Sequence, residues 1–391
     1  MGEKPCGAPL NDQSSPDHVR IADHSRAARV DLRVRRSRTY RPGPQFCRDP
    51  RNLFHDGAYI ESMLKRLVLG IAGAVLIAGA FGAGFLMRPA RPENQKPGKF
   101  AEQIVYVRSS DDVVSAGVLF SPPQPQPKPL AVIWVHGWGV NFYLPSYVGI
   151  GRALAARGHA TISVNTRMHD LGNVEKYTSA GKRVRGGGYW GITSEDGRDI
   201  TAWIGYAEQL GYSRVVLVGH SAGWASVGRY QADSGDKRVA GLVFASGELV
   251  GNLQDAGDPN WVRQAQKLVD EGVGEDLLRI PNRSSPSFIS AATELDMIHR
   301  PREYADFFGT QTPNPPICRV SCPILAFFGT RGDVGGDKEL LLLKSSVQHL
   351  SRGPRSVKTT MIAAGNHEYI GVEAQVAQTI VQWAEEEALT R

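Results

Sequence analysis

Cysteine is scarce in this 391-residue chain, which carries only Cys6, Cys47, Cys318 and Cys322. So few thiols over such a length exclude a disulfide-stapled scaffold. None of them belongs to paired C-x-x-C motifs or stands at a suitable spacing from a histidine, which argues against a zinc site. Cys318 and Cys322, just before a strand-like run, are expected either as a local disulfide in an oxidising compartment or as two buried or free thiols. Charge excess is also small. The net charge is +6, and the lysines and arginines after residue 100 are scattered among acids, so the basic footprint of a nucleic-acid binder is missing. There is no H-E-x-x-H and no lysine-bearing phosphate loop. One G-x-G-x-x-G does occur, Gly186-Gly187-Gly188-Tyr189-Trp190-Gly191. Its context is wrong for a dinucleotide site: Lys182-Arg183-Val184-Arg185 before it reads as a poor strand, and an acid about twenty residues on, such as Glu208, falls inside a helix. No cofactor and no metal are therefore expected.

What is present is the composition of a globular protein, 41% apolar and 21% charged. The length suits one large domain of about 250–300 residues plus an appendage. Residues 1–62 read as the appendage: rich in arginine, proline, serine and aspartate and without sustained periodicity, they are expected to be disordered. Met63-Leu64-Lys65-Arg66-Leu67 followed by an uncharged run over residues 67–87 has the form of a basic n-region and an apolar h-region. Met63 is thus an expected initiator, with residues 1–62 an upstream extension. The 67–87 run is long enough to span a bilayer, so residues 63–88 are expected as a signal peptide or a retained membrane anchor. Residues 89–99 read as a linker to an exported or membrane-anchored folded part at 100–391.

From residue 100 strands and helices alternate. Glu102–Arg108 and Val113–Phe120 form a predicted hairpin around Ser109-Ser110-Asp111-Asp112, and Ser121–Pro129 a proline-rich connector. Leu130–Val135 is wholly apolar, as a strand buried on both faces must be. A helix over Pro145–Arg157 closed by Gly158, a strand over Ala160–Val164, and a helix capped by Ser194 and ended by Gly211 follow. Strands at Val215–Val218, Val239–Ala245, Ile324–Phe328 and Val357–Ile362, with helices after Ser221, over Leu340–Leu350 and over Val372–Ala388, complete a rhythm that predicts a mostly parallel sheet covered by helices. Arg167–Trp190 reads as a long glycine-rich loop. Between the strands at Val239 and Ile324 only two helices are expected, Asn260–Glu271 and Ser287–Ile298.

At Gly219-His220-Ser221-Ala222-Gly223 a serine stands between an apolar run and a helix-like stretch, the arrangement of a nucleophile elbow. The flanking glycines leave room for a strained backbone at the serine. Alone the motif is a common glycine-rich turn. Joined to His136-Gly137-Trp138-Gly139 directly after a buried strand, and to a later aspartate and histidine, the pattern over residues 100–391 resembles the α/β-hydrolase superfamily. That family's order of nucleophile, acid and histidine gives Ser221, Asp333 and His367, each at the C-terminal end of a strand. Asp337, on the same loop as Asp333, is the rival acid. The resemblance implies that His367 activates Ser221, that Asp333 orients the imidazole, and that the backbone N–H groups of Trp138 and Ala222 form the oxyanion hole. His136 and His220 are expected to shape their turns.

The resemblance further implies a helical cap over approximately residues 248–318. Phe142, Tyr143 and Trp190, with Trp138 and Trp224, are expected to wall an aromatic pocket, ordinary core packing being an equal reading for Trp224. The elbow, Asn165-Thr166-Arg167 and the place of the insertion are similar to a subgroup that includes fungal siderophore esterases. The expected activity is hydrolysis of a small-molecule carboxylic ester through an acyl-enzyme. A peptidase or acyltransferase with the same triad, and a catalytically silent membrane-tethered binding module, are the alternatives.

Overall fold

The computed structural model describes residues 101–123, 130–172, 174–178, 180–247, 259–280, 288–298, 306–309 and 312–389. All of these lie in one compact unit. The expectations for residues 1–62, 63–88 and 89–99, the bilayer-spanning run included, lie outside the described residues. Among the described residues no helix is long and apolar enough to cross a membrane.

In chain order the elements are β1 (Ala101–Arg108), β2 (Val114–Ser121), β3 (Leu130–Val135), α1 (Pro145–Ala156), β4 (Thr161–Val164), β5 (Val174–Tyr177), β6 (Arg183–Gly186) and α2 (Asp196–Gln209). Then come β7 (Arg214–His220), α3 (Gly223–Ser234), β8 (Val239–Ala245), α4 (Pro259–Asp270), β9 (Leu277–Arg279), β10 (Phe288–Ser290) and α5 (Ala291–Ile298). The chain closes with β11 (Ile324–Gly329), α6 (Asp337–Gln348), β12 (Val357–Ile362) and α7 (Glu373–Trp383). Eight strands make the main sheet in the order β1-β2-β4-β3-β7-β8-β11-β12. β1 and β2 are antiparallel, β2 meets β4 antiparallel, and every pair from β4 to β12 is parallel. The mostly parallel sheet expected from the sequence is therefore present.

The central strands are buried on both faces because successive side chains alternate between two cores. Ala131, Ile133 and Val135 of β3 pack with Ile200, Trp203 and Ile204 of α2 and with Val227 of α3. Leu130, Val132 and Trp134 of the same strand pack on the opposite side with Tyr147, Ile150 and Leu154 of α1 and Val376 and Ile380 of α7. Each fully buried large apolar side chain contributes about 1.5–3 kcal/mol. Helices on both faces thus hold the strand ends in fixed relative positions.

Several local expectations are corrected. Arg183–Arg185 does belong to a strand: β6 pairs antiparallel with β5 around a turn in which the Gly181 N–H donates to the Thr178 carbonyl at 2.9 Å. Arg183 and Arg185 face solvent, so hydropathy carries no strand signal there. Ser194 is not the cap of α2; a 3₁₀ turn, Thr193–Glu195, precedes the helix and the Ser194 hydroxyl binds Asp296 instead. Ser287–Ile298 is not one helix, since Phe288–Ser290 pairs with Leu277–Arg279 before α5 begins. The helix expected to run to Ala388 turns into a π-helical turn at Ala384–Ala388. Cys318 is disulfide-bonded while Cys322 is a free, buried thiol, so the two do not pair with each other. Burial pushes the Cys322 thiol up to about 12, which leaves it unreactive.

Candidate active site

The parallel strands β3, β7, β8, β11 and β12 end on one edge of the sheet, and the candidate residues stand on the loops there. β7 runs directly into α3 through Ser221, whose φ is +50°. A side chain at Gly219 would come within 2.6 Å of the Trp224 Cα, and one at Gly223 within 2.8 Å of the Val135 carbonyl oxygen. The two glycines are required because strand, turn and helix pass this close. Ser221 is held from below by its N–H, which donates to the Ala245 carbonyl at 2.9 Å.

His367 lies five residues beyond β12 and brings Nε2 to 3.1 Å from Ser221 Oγ. Its Nδ1 lies 2.9 Å from Asp333 Oδ1. Asp333 faces the imidazole, whereas Asp337 is the first residue of α6. Burial opposes the charge on Asp333. Bonds from His367 and Ser246 and from the N–H groups of Gly329 and Val334 outweigh that burial and hold its carboxyl below the usual range. An ionised acid that accepts the imidazole N–H fixes the tautomer in which Nε2 faces the serine.

The loop after β3 closes over the elbow. A Cβ at Gly137 would sit 2.9 Å from the Ser221 Cβ, so only glycine allows the loop this near. The Gly137 N–H donates to the Tyr147 hydroxyl at 3.2 Å. Among the described residues the N–H groups of Trp138 and Ala222 make no main-chain hydrogen bond. His136 and His220 do shape the turns. His136 Nε2 accepts the Thr166 N–H at 3.1 Å while Nδ1 faces the Gly137 carbonyl at 2.7 Å. His220 bonds to Tyr147 and to the backbone of His367.

The expected aromatic wall is only partly there. Phe142 is a correction: it is buried in a cluster with Val118 and Phe120 of β2 and Ala155 of α1. Tyr143, 59% exposed, lies edge-on against it at the surface. Trp224 belongs to the core, stacked on Phe308 and packed against Phe244 and Phe307. Trp190 donates its indole N–H to the Glu275 carbonyl at 2.8 Å and lies under the Arg185 guanidinium. It thereby fastens the glycine-rich loop to the turn between α4 and β9. Trp138 donates to the Gly188 carbonyl at 3.2 Å, which ties the same loop to the β3 turn. Trp261, Ala265, Leu278, Ile289 and Leu295 of α4, β9, β10 and α5 belong to a small core of their own. Two short strands accompany its helices.

Asn165 and Arg167 hold the base of these loops. The Asn165 side chain accepts the Phe142 N–H at 2.9 Å. The Arg167 guanidinium bonds to Asp199, Asp111 and Glu195. Sequence reasoning missed Ser246, Tyr147 and Tyr369. Ser246, at φ +50°, donates to Asp333 Oδ2 at 2.5 Å and is also bonded to the buried Tyr369 hydroxyl. Its position directly after β8, at a strand's C-terminal end, is the signal that could have found it.

Among the described residues no cluster of His, Cys, Asp and Glu could hold a metal ion. A model of the alpha/beta hydrolase family matches residues 132–379. Among solved structures, DcsB in complex with its substrate analogue superposes with a TM-score of 0.54 at 13% identity, covering 74% of this chain and 100% of that one. Est1E from Butyrivibrio proteoclasticus, with ferulic acid bound, gives 0.50 at 16% identity, covering 73% and 100%. At these identities the likeness speaks to the fold. A search of curated proteins finds no match, and the narrower likeness to siderophore esterases is not supported by these matches.

Proposed function

The chain belongs to the alpha/beta hydrolase family, and from that premise we propose that it is a serine hydrolase cleaving a carboxylic ester through an acyl-enzyme. The observation that carries the reading is the run from Asp333 Oδ1 through His367, 2.9 Å on one side, to Ser221 Oγ, 3.1 Å on the other. As Ser221 Oγ bonds to the acyl carbon, its proton passes to His367 Nε2 and the carbonyl electrons move onto oxygen. That oxyanion takes the N–H groups of Trp138 and Ala222, each such donor being worth about a hundredfold or more in rate. Collapse expels the alcohol, which leaves with the proton from Nε2. Water then attacks the acyl-enzyme by the same route and releases the carboxylic acid. Asp333 stays ionised throughout and stabilises the imidazolium.

The test is a panel of p-nitrophenyl esters of graded chain length, extended to aromatic esters, thioesters and peptide amides, run on the parent and on Ser221→Ala. Ester turnover that is lost with Ser221 supports the reading. Preference for amides or thioesters would move it to a peptidase or acyltransferase, and a Ser221→Ala protein with parental turnover would end it. The apolar run at residues 67–87 supports a companion proposal, that the domain is exported or membrane-anchored. Recovery of the full chain in the cytoplasmic supernatant would refute it.

A further inference from the structure

The residue preceding Ser221 carries a buried imidazole that the chemistry above does not use. The His220 ring stacks near-parallel on Trp134 with centroids 6.2 Å apart and lies 4.9 Å from the ring of His367. Its Nε2 is 2.8 Å from the main-chain oxygen of His367. A carbonyl oxygen only accepts, so Nε2 carries the proton. Burial, and then the neighbouring His367, push the His220 pKa down to about 4. The ring is therefore neutral near pH 7, and Nδ1 is an acceptor. The Tyr147 hydroxyl, 2.6 Å from Nδ1, must then be the donor. Tyr147 Oη in turn receives the Gly137 N–H at 3.2 Å.

Every direction in this chain of bonds is thereby fixed: Gly137 N–H to Tyr147 oxygen, Tyr147 O–H to His220 Nδ1, His220 Nε2–H to the His367 carbonyl. Its two ends are main-chain atoms of the residue before Trp138 and of His367 itself. His220, one of its two inner residues, is covalently joined to Ser221. The relay crosses from α1, which carries Tyr147, to the ends of β3, β7 and β12. Bonds aligned head to tail in a low-dielectric interior strengthen one another.

We propose that Tyr147 and His220 are positioning residues, which hold the oxyanion donor at Trp138 and the base at His367 in register with Ser221. The inference rests on the reading of Ser221 and His367 as nucleophile and base. A register error of about 1 Å costs on the order of a hundredfold in rate, so the relay matters for turnover and little for substrate affinity.

The experiment uses the full chain with p-nitrophenyl butyrate, rates being expressed per folded molecule by near-UV circular dichroism. Tyr147→Phe keeps the ring against Trp134 and removes only the hydroxyl. It should lower kcat by about ten- to a hundredfold and leave KM within roughly twofold. His220→Gln retains an N–H near the place of Nε2 and should keep more of kcat than His220→Asn, which does not reach the His367 carbonyl. Combined with Tyr147→Phe, His220→Asn should add little further loss, since both break one relay. A purely structural role would lower the unfolding midpoint while leaving kcat of the folded molecules unchanged. Parental kcat in Tyr147→Phe, or equal kcat in the Gln and Asn variants, would overturn the proposal. Should Ser221→Ala retain turnover in the same assay, the reading beneath it fails instead, whatever Tyr147→Phe does.

Discussion

Replacing Ser246 by alanine removes one of four groups that donate to Asp333, the others being His367 and the N–H groups of Gly329 and Val334. A hydrogen bond to a charged group is worth about 1.5–3 kcal/mol, and the lower end applies because three donors remain. That corresponds to a rise of about one pH unit in the carboxyl's titration midpoint. The Tyr369 hydroxyl loses a partner as well and is left with the Phe327 carbonyl at 3.5 Å, a cost that does not depend on Asp333. The sign of the pH dependence follows from Asp333's depressed pKa. Its contribution to stability is fully present above the unfolded value of about 3.9 and is lost as pH falls through the folded value. The difference between parent and variant should thus stay level from pH 7 to about 5 and shrink as pH falls below about 4. Urea unfolding followed by tryptophan fluorescence at a series of pH values measures it. Ser246→Gly is the control: it loses the same hydroxyl but relieves the φ of +50°, and should be milder than alanine by about 1 kcal/mol. A neutral-pH loss under about 0.5 kcal/mol, or a loss that stays constant down to pH 3, would refute the reasoning.

Ser221→Ala should lower kcat/KM by about 10⁴-fold or more with an unchanged far-UV circular dichroism spectrum. Asp333→Asn should cost about 10⁴-fold in kcat, whereas Asp337→Asn should stay within roughly threefold; equal losses on ester turnover would dethrone Asp333. Arg167→Ala should destabilise by about 3–5 kcal/mol, because it strands the fully buried Asp199 without its partner. The exposed Arg198, which shares Asp111 and Glu195, should cost under about 1 kcal/mol when replaced by alanine; similar melting shifts for the two would contradict the burial argument. Gly219→Ala forces a Cβ to within 2.6 Å of the Trp224 Cα and should cost about 1–3 kcal/mol together with ester turnover. A melting temperature at the parental value would mean that the elbow is looser than its contacts imply.

The parts legible in the sequence were those written in apolar runs and in glycine. Leu130–Val135 and Val239–Ala245 are buried along their whole length, and such strands announce themselves. Gly219 and Gly223 mark a close approach of backbone to backbone, which no side chain can replace. Residues held by polar partners distant in sequence left no such trace. Ser246 meets Asp333 and Tyr369 only when β8, β11 and β12 lie side by side. Tyr147 reads as one more apolar position of an amphipathic helix, and nothing local says that its hydroxyl reaches His220. Phe142 misled for the complementary reason. It stands three residues beyond Gly139, yet its N–H binds Asn165 and its ring turns inward to the core.

The two halves of the site are held by different physics. Ser221 is fixed by backbone sterics: a positive φ, two glycines that admit no side chain, and a strand that becomes a helix within a few residues. Nothing in that arrangement titrates. Asp333 is fixed by donors gathered on an ionised carboxylate, and the His367 backbone by the proton on His220 Nε2. Changes at the elbow therefore meet a hard wall, since a packed backbone cannot yield by a few tenths of an ångström without moving both strand and helix. Changes around Asp333 and His220 should grade with the number and charge of the bonds removed. Substitutions that adjust reactivity without loss of fold are accordingly to be sought at Ser246, Tyr369, Tyr147 and His220, and not among the glycines that frame Ser221.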